Sequence, residues 1–185
     1  MFGSLPYFLV MIESRIKQSV RDVNDFPKPG IIFKDITPIL KDPALCMDIT
    51  AALAKQLSNI DIDVVAGIES RGFLFGPSLA QLLNVPFIPI RKAGKLPYKT
   101  IQQSYDLEYG SATIECHQDA LLKGQKVLVH DDLLATGGTV VAASQLVMQM
   151  EATVAAYSFI ISLDFLNGRE RLKPYGNEVF SLASY

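Results

Sequence analysis

Two adjacent aspartates, Asp131 and Asp132, stand just ahead of a run of small and hydroxylated residues, Ala135-Thr136-Gly137-Gly138-Thr139. Such a loop, opening a helix, presents main-chain N–H groups and the positive end of the helix dipole to an anion. Thr136 and Thr139 add hydroxyl donors, and Gly137 and Gly138 let the backbone come close. Carboxylates beside an anion cradle make poor ligands for the anion itself. They suit sugar hydroxyls, or the neighbourhood of a divalent cation. The substrate these residue types imply is a sugar phosphate.

The elements around them must hold this chemistry in place. Val127-Leu128-Val129 is an apolar, β-branched run of the kind that forms a buried parallel strand over Lys126–His130. The two acids fall where that strand would leave the sheet, and Val140 to Met150 reads as a helix. In open α/β sheets ligands sit beyond the carboxyl ends of the strands. Further strands are expected at Val64–Gly67, Phe87–Arg91, Tyr105–Tyr109, Ala112–Cys116, Ala152–Leu163 and Glu178–Leu182. Helices are expected at Ile12–Val20, from Pro43 to about Leu57, and over Phe73–Leu83. Gly110-Ser111 turns two of the strands into an antiparallel excursion with a long loop at its mouth. Ahead of this, Phe26-Pro27-Lys28-Pro29-Gly30 breaks any helix firmly. The part up to about Leu57 does not fit a βαβ repeat and looks like a cap over the main sheet, whose α/β pattern starts at Ile62.

The chain has 185 residues, 49% of them hydrophobic and 19% charged, enough for a single domain with a proper core. A net charge of −2 argues against nucleic acid as a standing partner. Cys46 and Cys116 lack CxxC spacing and read as reduced core thiols of a cytoplasmic protein. His117 and His130 are too few for a protein-built zinc site. The apolar start, MFGSLPYFLVM, has no basic leader and is too short to span a bilayer, so neither a signal peptide nor a membrane anchor is expected. Met11 is an alternative start. Residues 1–11 are expected to be a mobile or peripheral extension. GxGxxG, GxxxxGKS/T and HExxH are all absent.

The block from Val127 to Thr139 resembles the phosphoribosyl pyrophosphate (PRPP) signature of the type I phosphoribosyltransferases. Three further blocks resemble the adenine-specific branch of that family. Residues 26–38, FPKPGIIFKDITP, are similar to its N-terminal hood. Residues 66–77, AGIESRGFLFGP, are similar to its pyrophosphate loop, and residues 90–97 with 105–110 to its mobile catalytic loop. The resemblance runs from about Ile16 to the C-terminus.

It implies an α/β fold, a three-layer sandwich with a mainly parallel central sheet and a small N-terminal hood. Residues 12–185 would form one domain, with the hood at about 24–40 and the core at about 44–185. It implies an adenine phosphoribosyltransferase, a pentosyltransferase of purine salvage that moves 5-phosphoribosyl from PRPP to adenine and yields AMP and pyrophosphate. Ala135 to Thr139 would hold the 5′-phosphate, and Asp131 and Asp132 the ribose hydroxyls. Ser70, Arg71, Arg91, Lys92 and Lys95 would hold pyrophosphate, where charge accumulates as the C1–O bond breaks. Arg71, Lys95 and Glu108 are the catalytic candidates, with Glu108 as general acid/base. Tyr109 would pack on the closed site.

Phe33 would stack on adenine while main-chain groups around Ile31 and Ile32 read its edge. A carbonyl there would accept from the exocyclic amine but oppose the oxygen of a 6-oxopurine. Mg²⁺ would be held mainly by substrate, with Asp131 and Asp132 in support. A homodimer in the cytoplasm is implied. Two residues depart from the family pattern. His130 stands where an aliphatic residue is usual, so it either packs or tunes the acid pair. Lys34 replaces an arginine, which is no equivalent at a bidentate phosphate contact. Another purine base, or a PRPP sensor without turnover, remain alternatives.

Overall fold

Val64 to Ile68 is buried from end to end, as a strand covered on both faces must be. In the computed structural model, which describes residues 5–106 and 110–185 with side chains from residue 7, this strand (β3) lies centrally in a seven-stranded sheet. Beside it run β4 (Phe87–Lys92) on one side and β7 (Lys126–Leu134) on the other, both parallel to it. β8 (Thr153–Ser162) and β9 (Val179–Ser184) extend the parallel part. At the opposite edge β6 (Ser111–His117) pairs antiparallel with β4 and with β5 (Thr100–Asp106). The order is β5-β6-β4-β3-β7-β8-β9, the expected mainly parallel sheet.

Side-chain alternation divides the core into two layers. Val64, Ala66, Ile68, Val127 and Val129 face α4 (Gly138–Gln149), which contributes Val140, Ala143, Leu146 and Val147. Val65, Leu128, Ala156 and Ile160 face α1 (Leu5–Ser19), α2 (Pro43–Gln56) and α3 (Gly76–Leu83). Ile12 and Ile16, one helical turn apart, bury α1 against this second layer. Asp42 caps α2 by accepting the Leu45 N–H at 3.0 Å, and Pro43 occupies the first turn.

Several boundaries differ from the sequence expectation. Helix α1 begins at Leu5 rather than Ile12, and Phe8 and Leu9 pack on the core with it. Arg71–Phe73 forms a separate 3-10 turn, and α3 starts only at Gly76. β5 begins at Thr100, so the loop after β4 is shorter than expected and spans residues 93–99. The N-terminal cap is a hairpin of β1 (Arg21–Asn24) and β2 (Ile32–Asp35), with Val23 opposite Phe33.

Candidate active site

The acid pair lies inside β7 rather than beyond it. Pairing with β3 ends at Gly67–His130, whereas pairing with β8 continues to Leu134–Ser162. From Asp131 onward β7 therefore has a neighbour on one side only. The vacated side receives the loop after β3, where Gly72 sits so close that a Cβ would lie 2.7 Å from the His130 carbonyl oxygen. This is the cleft expected where strand order reverses about a parallel pair.

Asp132 is 1% exposed, and its main-chain N–H donates to Asp131 Oδ1 at 2.8 Å. Arg71 Nε forms an ion pair with Asp132 Oδ2 at 2.8 Å. Burial and then the repulsion of Asp132 hold the Asp131 carboxyl well above the usual carboxylate range. Burial raises Asp132 as well, against the opposing pull of Arg71. Ser70, Arg71, Lys92, Asp131 and Asp132 line one polar cavity of about 200 Å³ together with Glu69. Arg71 and Asp131 also border an adjoining cavity of about 180 Å³ formed by Ala135 to Thr139. Fold and sequence thus bring the acids, the glycine loop and Arg71 together around two adjoining cavities that share Arg71 and Asp131.

Gly137 is the N-cap of α4 with φ +80°, a conformation that favours glycine. No side chain caps this helix, so its first N–H groups remain available to an anion. The short helix α5 (Gly168–Leu172) backs the loop. A Cβ on Gly168 would lie 2.1 Å from the Ala135 carbonyl oxygen, so only glycine permits this approach.

The remaining basic residues are held differently. Arg91 donates from Nε to Glu69 Oε2 at 3.0 Å and from Nη1 to the Lys95 carbonyl at 3.1 Å. Lys95 is fixed through its main chain, whose N–H donates to Glu115 Oε1 at 2.9 Å. In the hood, Phe26 meets Phe33 edge to face at 5.2 Å. The Phe33 ring lies 5.1 Å from the Arg71 guanidinium carbon. Ile31 and Ile32 are exposed, and the Ile31 carbonyl accepts from the Phe26 N–H at 3.3 Å, leaving a second lone pair. Glu108 and Tyr109 lie outside the described residues.

The two departures from the family pattern are accounted for locally. His130 Nδ1 is 2.8 Å from Ser158 Oγ on β8, and burial pushes its pKa down to about 4, so it is a packed neutral imidazole. Lys34 pairs with Asp22 at 2.6 Å and sits 4.2 Å from the centre of the Tyr185 ring, joining the hood to the last residue of the chain. Sequence reasoning missed Glu69, Glu115, Tyr105 and Arg171. Tyr105 accepts from Thr139 Oγ1 at 3.2 Å, and Arg171 donates to the Thr136 carbonyl at 3.2 Å. Only Glu115 left a local signal, as an acid between Ile114 and Cys116 on a strand.

A parallel sheet carrying an uncapped glycine loop, a paired-acid strand end and an arginine between them defines a sugar-phosphate transferase of the α/β class. Comparison with known proteins sharpens this. Residues 35–181 match the family model described as the phosphoribosyl transferase domain. The adenine phosphoribosyltransferase of Cytophaga hutchinsonii is 52% identical over 175 residues, covering 95% of this chain and 97% of that protein. The crystal structure of adenine phosphoribosyltransferase from Thermoanaerobacter pseudethanolicus superposes with a TM-score of 0.89 at 46% identity, covering 93% of this chain and 99% of that one. The Saccharomyces cerevisiae enzyme, complexed with an imino-altritol bisphosphate and adenine, gives 0.86 at 41% identity, covering 94% and 99%. The chain belongs to the adenine phosphoribosyltransferase family.

Proposed function

We propose that this chain transfers the 5-phosphoribosyl group of PRPP to N9 of adenine, giving AMP and pyrophosphate, and so salvages free adenine. The observation that carries the reading is the pair of adjoining cavities, sharing Arg71 and Asp131, that bring an uncapped helix start and the acid pair together, with Arg71 against Phe33. The 5′-phosphate sits on the N–H groups and hydroxyls of Ala135 to Thr139. Asp131 and Asp132 accept from the ribose 2′- and 3′-hydroxyls, which supplies partners to a half-buried and a buried carboxylate. Adenine stacks on Phe33.

As the bond from C1 to the pyrophosphate oxygen breaks, its electron pair leaves with pyrophosphate. Positive charge develops on the sugar, and N9 then donates its pair to C1. Arg71, Ser70, Lys92 and Lys95 stabilise the charge growing on the leaving group. Arg91 orients Lys95 through the Lys95 carbonyl. Glu108 handles the proton at the adenine ring, and Tyr109 excludes water.

Mg²⁺ is the implied cofactor. Among the described residues no group of three or more His, Cys, Asp or Glu could hold a metal ion. Asp131 and Asp132 offer two carboxylates, one already paired with Arg71. That donor set suits an ion carried mainly by PRPP oxygens, with the acids in support. When bound, Mg²⁺ offsets the charge of the pyrophosphate.

A second copy of the chain is the proposed partner. Leu40, Met47, Leu74 and Leu82 are exposed around a cavity of about 460 Å³ between α2 and α3, an apolar face that suits a homodimer. Leu74 follows the Arg71 turn directly, so a copy seated there would brace it; light scattering checks the mass. No helix among the described residues is long and apolar enough to cross a membrane, and Cys46 and Cys116 are free thiols. The proposed compartment is the cytoplasm.

The test is pyrophosphate release from PRPP and Mg²⁺ with adenine, hypoxanthine, guanine or no base. Turnover with adenine alone is expected. Turnover with an oxopurine would overturn the assignment of Ile31, Ile32 and Phe33. PRPP binding without turnover on any base would point to a sensor.

A further inference from the structure

Glu115 is a buried acid for which the reaction above has no use. It is 2% exposed, yet it sits on β6 directly opposite Arg91 of β4, beside the basic loop that follows β4. Burying a carboxylate is costly unless it is fully hydrogen-bonded, and this one is. Oε1 accepts from the main-chain N–H groups of Lys95 and Leu96, each at 2.9 Å. Oε2 accepts from Gln102 Nε2 at 3.0 Å and Thr100 Oγ1 at 3.2 Å. Two donors thus belong to the loop after β4 and two to β5. Although burial alone would raise it, the donors, chiefly the Leu96 and neighbouring N–H groups, bring the carboxyl down to about 2.

The same loop is held from its other side. Glu69 Oε2 accepts from Arg91 Nε at 3.0 Å and from the Lys92 N–H at 3.1 Å. Arg91 Nη1 in turn donates to the Lys95 carbonyl at 3.1 Å. Both main-chain polar groups of Lys95 are therefore engaged, the N–H by Glu115 and the carbonyl by Arg91. What remains free to meet a ligand is the side chain.

We infer that Glu115 is a positioning residue that holds residues 94–96 in a preformed arrangement for the pyrophosphate group of PRPP, before any substrate arrives. A loop already ordered loses less conformational entropy on binding, and binding tightens accordingly. This inference rests on the reading of Lys92 and Lys95 as pyrophosphate ligands. It goes beyond that reading by assigning the organisation of the loop to an acid that itself touches no substrate.

The experiment compares Glu115→Ala, Glu115→Gln and the parent, with titrations of pyrophosphate and AMP and steady-state KM for PRPP. AMP carries the 5′-phosphate, ribose and base but no pyrophosphate. Glu115→Ala is expected to weaken PRPP and pyrophosphate about 10- to 100-fold, the scale of hydrogen bonds to a charged group, while AMP binding stays within about twofold. Glu115→Gln, which keeps an acceptor for the loop N–H groups, is expected to recover most of the loss. Unchanged PRPP and pyrophosphate affinity in Glu115→Ala overturns the inference, and so does equal weakening of AMP, which marks a structural role only. Should Glu115→Ala fail to fold, hydrogen exchange on the ligand-free parent decides. Protection of the Lys95 and Leu96 amides supports a preformed loop, and exchange at the rate of an unstructured peptide overturns it. Failure of the parent to bind pyrophosphate would instead strike the functional reading.

Discussion

Replacing Gly168 by alanine adds one methyl group and should damage the phosphate loop more than its size suggests. The new Cβ would lie 2.1 Å from the Ala135 carbonyl oxygen, 3.1 Å from Leu134 Cδ1 and 3.2 Å from the Ala135 carbonyl carbon. Ordinary contact begins at 3.4 Å, so α5 and the loop must part by about 1.3 Å, the difference between 3.4 and 2.1 Å. The nearest atom is backbone, which cannot rotate away as a side chain can. Overpacking of this kind costs about 1–3 kcal/mol. For a chain of this length that corresponds to a fall in Tm of about 2 to 12 °C. The functional loss should be larger in proportion. The displaced group is the loop proposed to hold the 5′-phosphate, and strain of that size set against phosphate binding weakens AMP binding on the order of 5- to 100-fold. Calorimetric titration with AMP and thermal melts on the same samples measure both quantities. Gly176→Ala is the control, since its Cβ would make an ordinary 3.4 Å contact with Tyr157 and lies far from the loop in sequence. Parent-like AMP affinity and Tm in Gly168→Ala would refute the claim that the α5 backbone sets the loop position.

Three other outcomes follow from the site. Glu108→Ala should lower turnover far more than PRPP affinity; equal PRPP turnover in variant and parent would remove Glu108 from the mechanism. Asp131→Asn should bind PRPP severely less well yet stabilise the ligand-free protein at neutral pH. The folded-state pKa of Asp131 is raised, so its contribution is complete below the ordinary carboxylate range and is lost as pH rises through the raised value. Melts of parent and variant between pH 5 and 8 (about the range where the fold tolerates titration) should diverge with rising pH, and parallel curves would contradict the shift. His130 is depressed from 6.5 to about 4, so its contribution is complete above pH 6.5 and is lost as pH falls toward 4, on the order of 3 kcal/mol in all. His130→Leu should flatten that acid limb, and an unchanged slope would mean the imidazole is not buried neutral.

The sequence by itself determined the chemistry-bearing blocks and the class of fold. Length and residue type separate the buried strand at Val64–Ile68 from the helix at Gly138–Gln149, because a short apolar run rich in β-branched residues suits a strand and a longer run without a breaker suits a helix. The ATGGT loop was legible because its glycines and hydroxyls are local requirements of an anion cradle. The tertiary structure decided what depends on strand pairing and long-range approach. Asp131 and Asp132 read as residues past a strand end, yet they lie within β7, and only the earlier end of its pairing with β3 opens the cleft beside them. Arg71 read as a pyrophosphate ligand, and only the packed hood shows its guanidinium between Phe33 and Asp132. Glu115, Tyr105 and Gly168 act on partners at least ten residues away in sequence, across a sheet or between loop and helix. Hydrogen bonds and contact floors of that kind belong to no local pattern, so they exist as information only once the chain is folded.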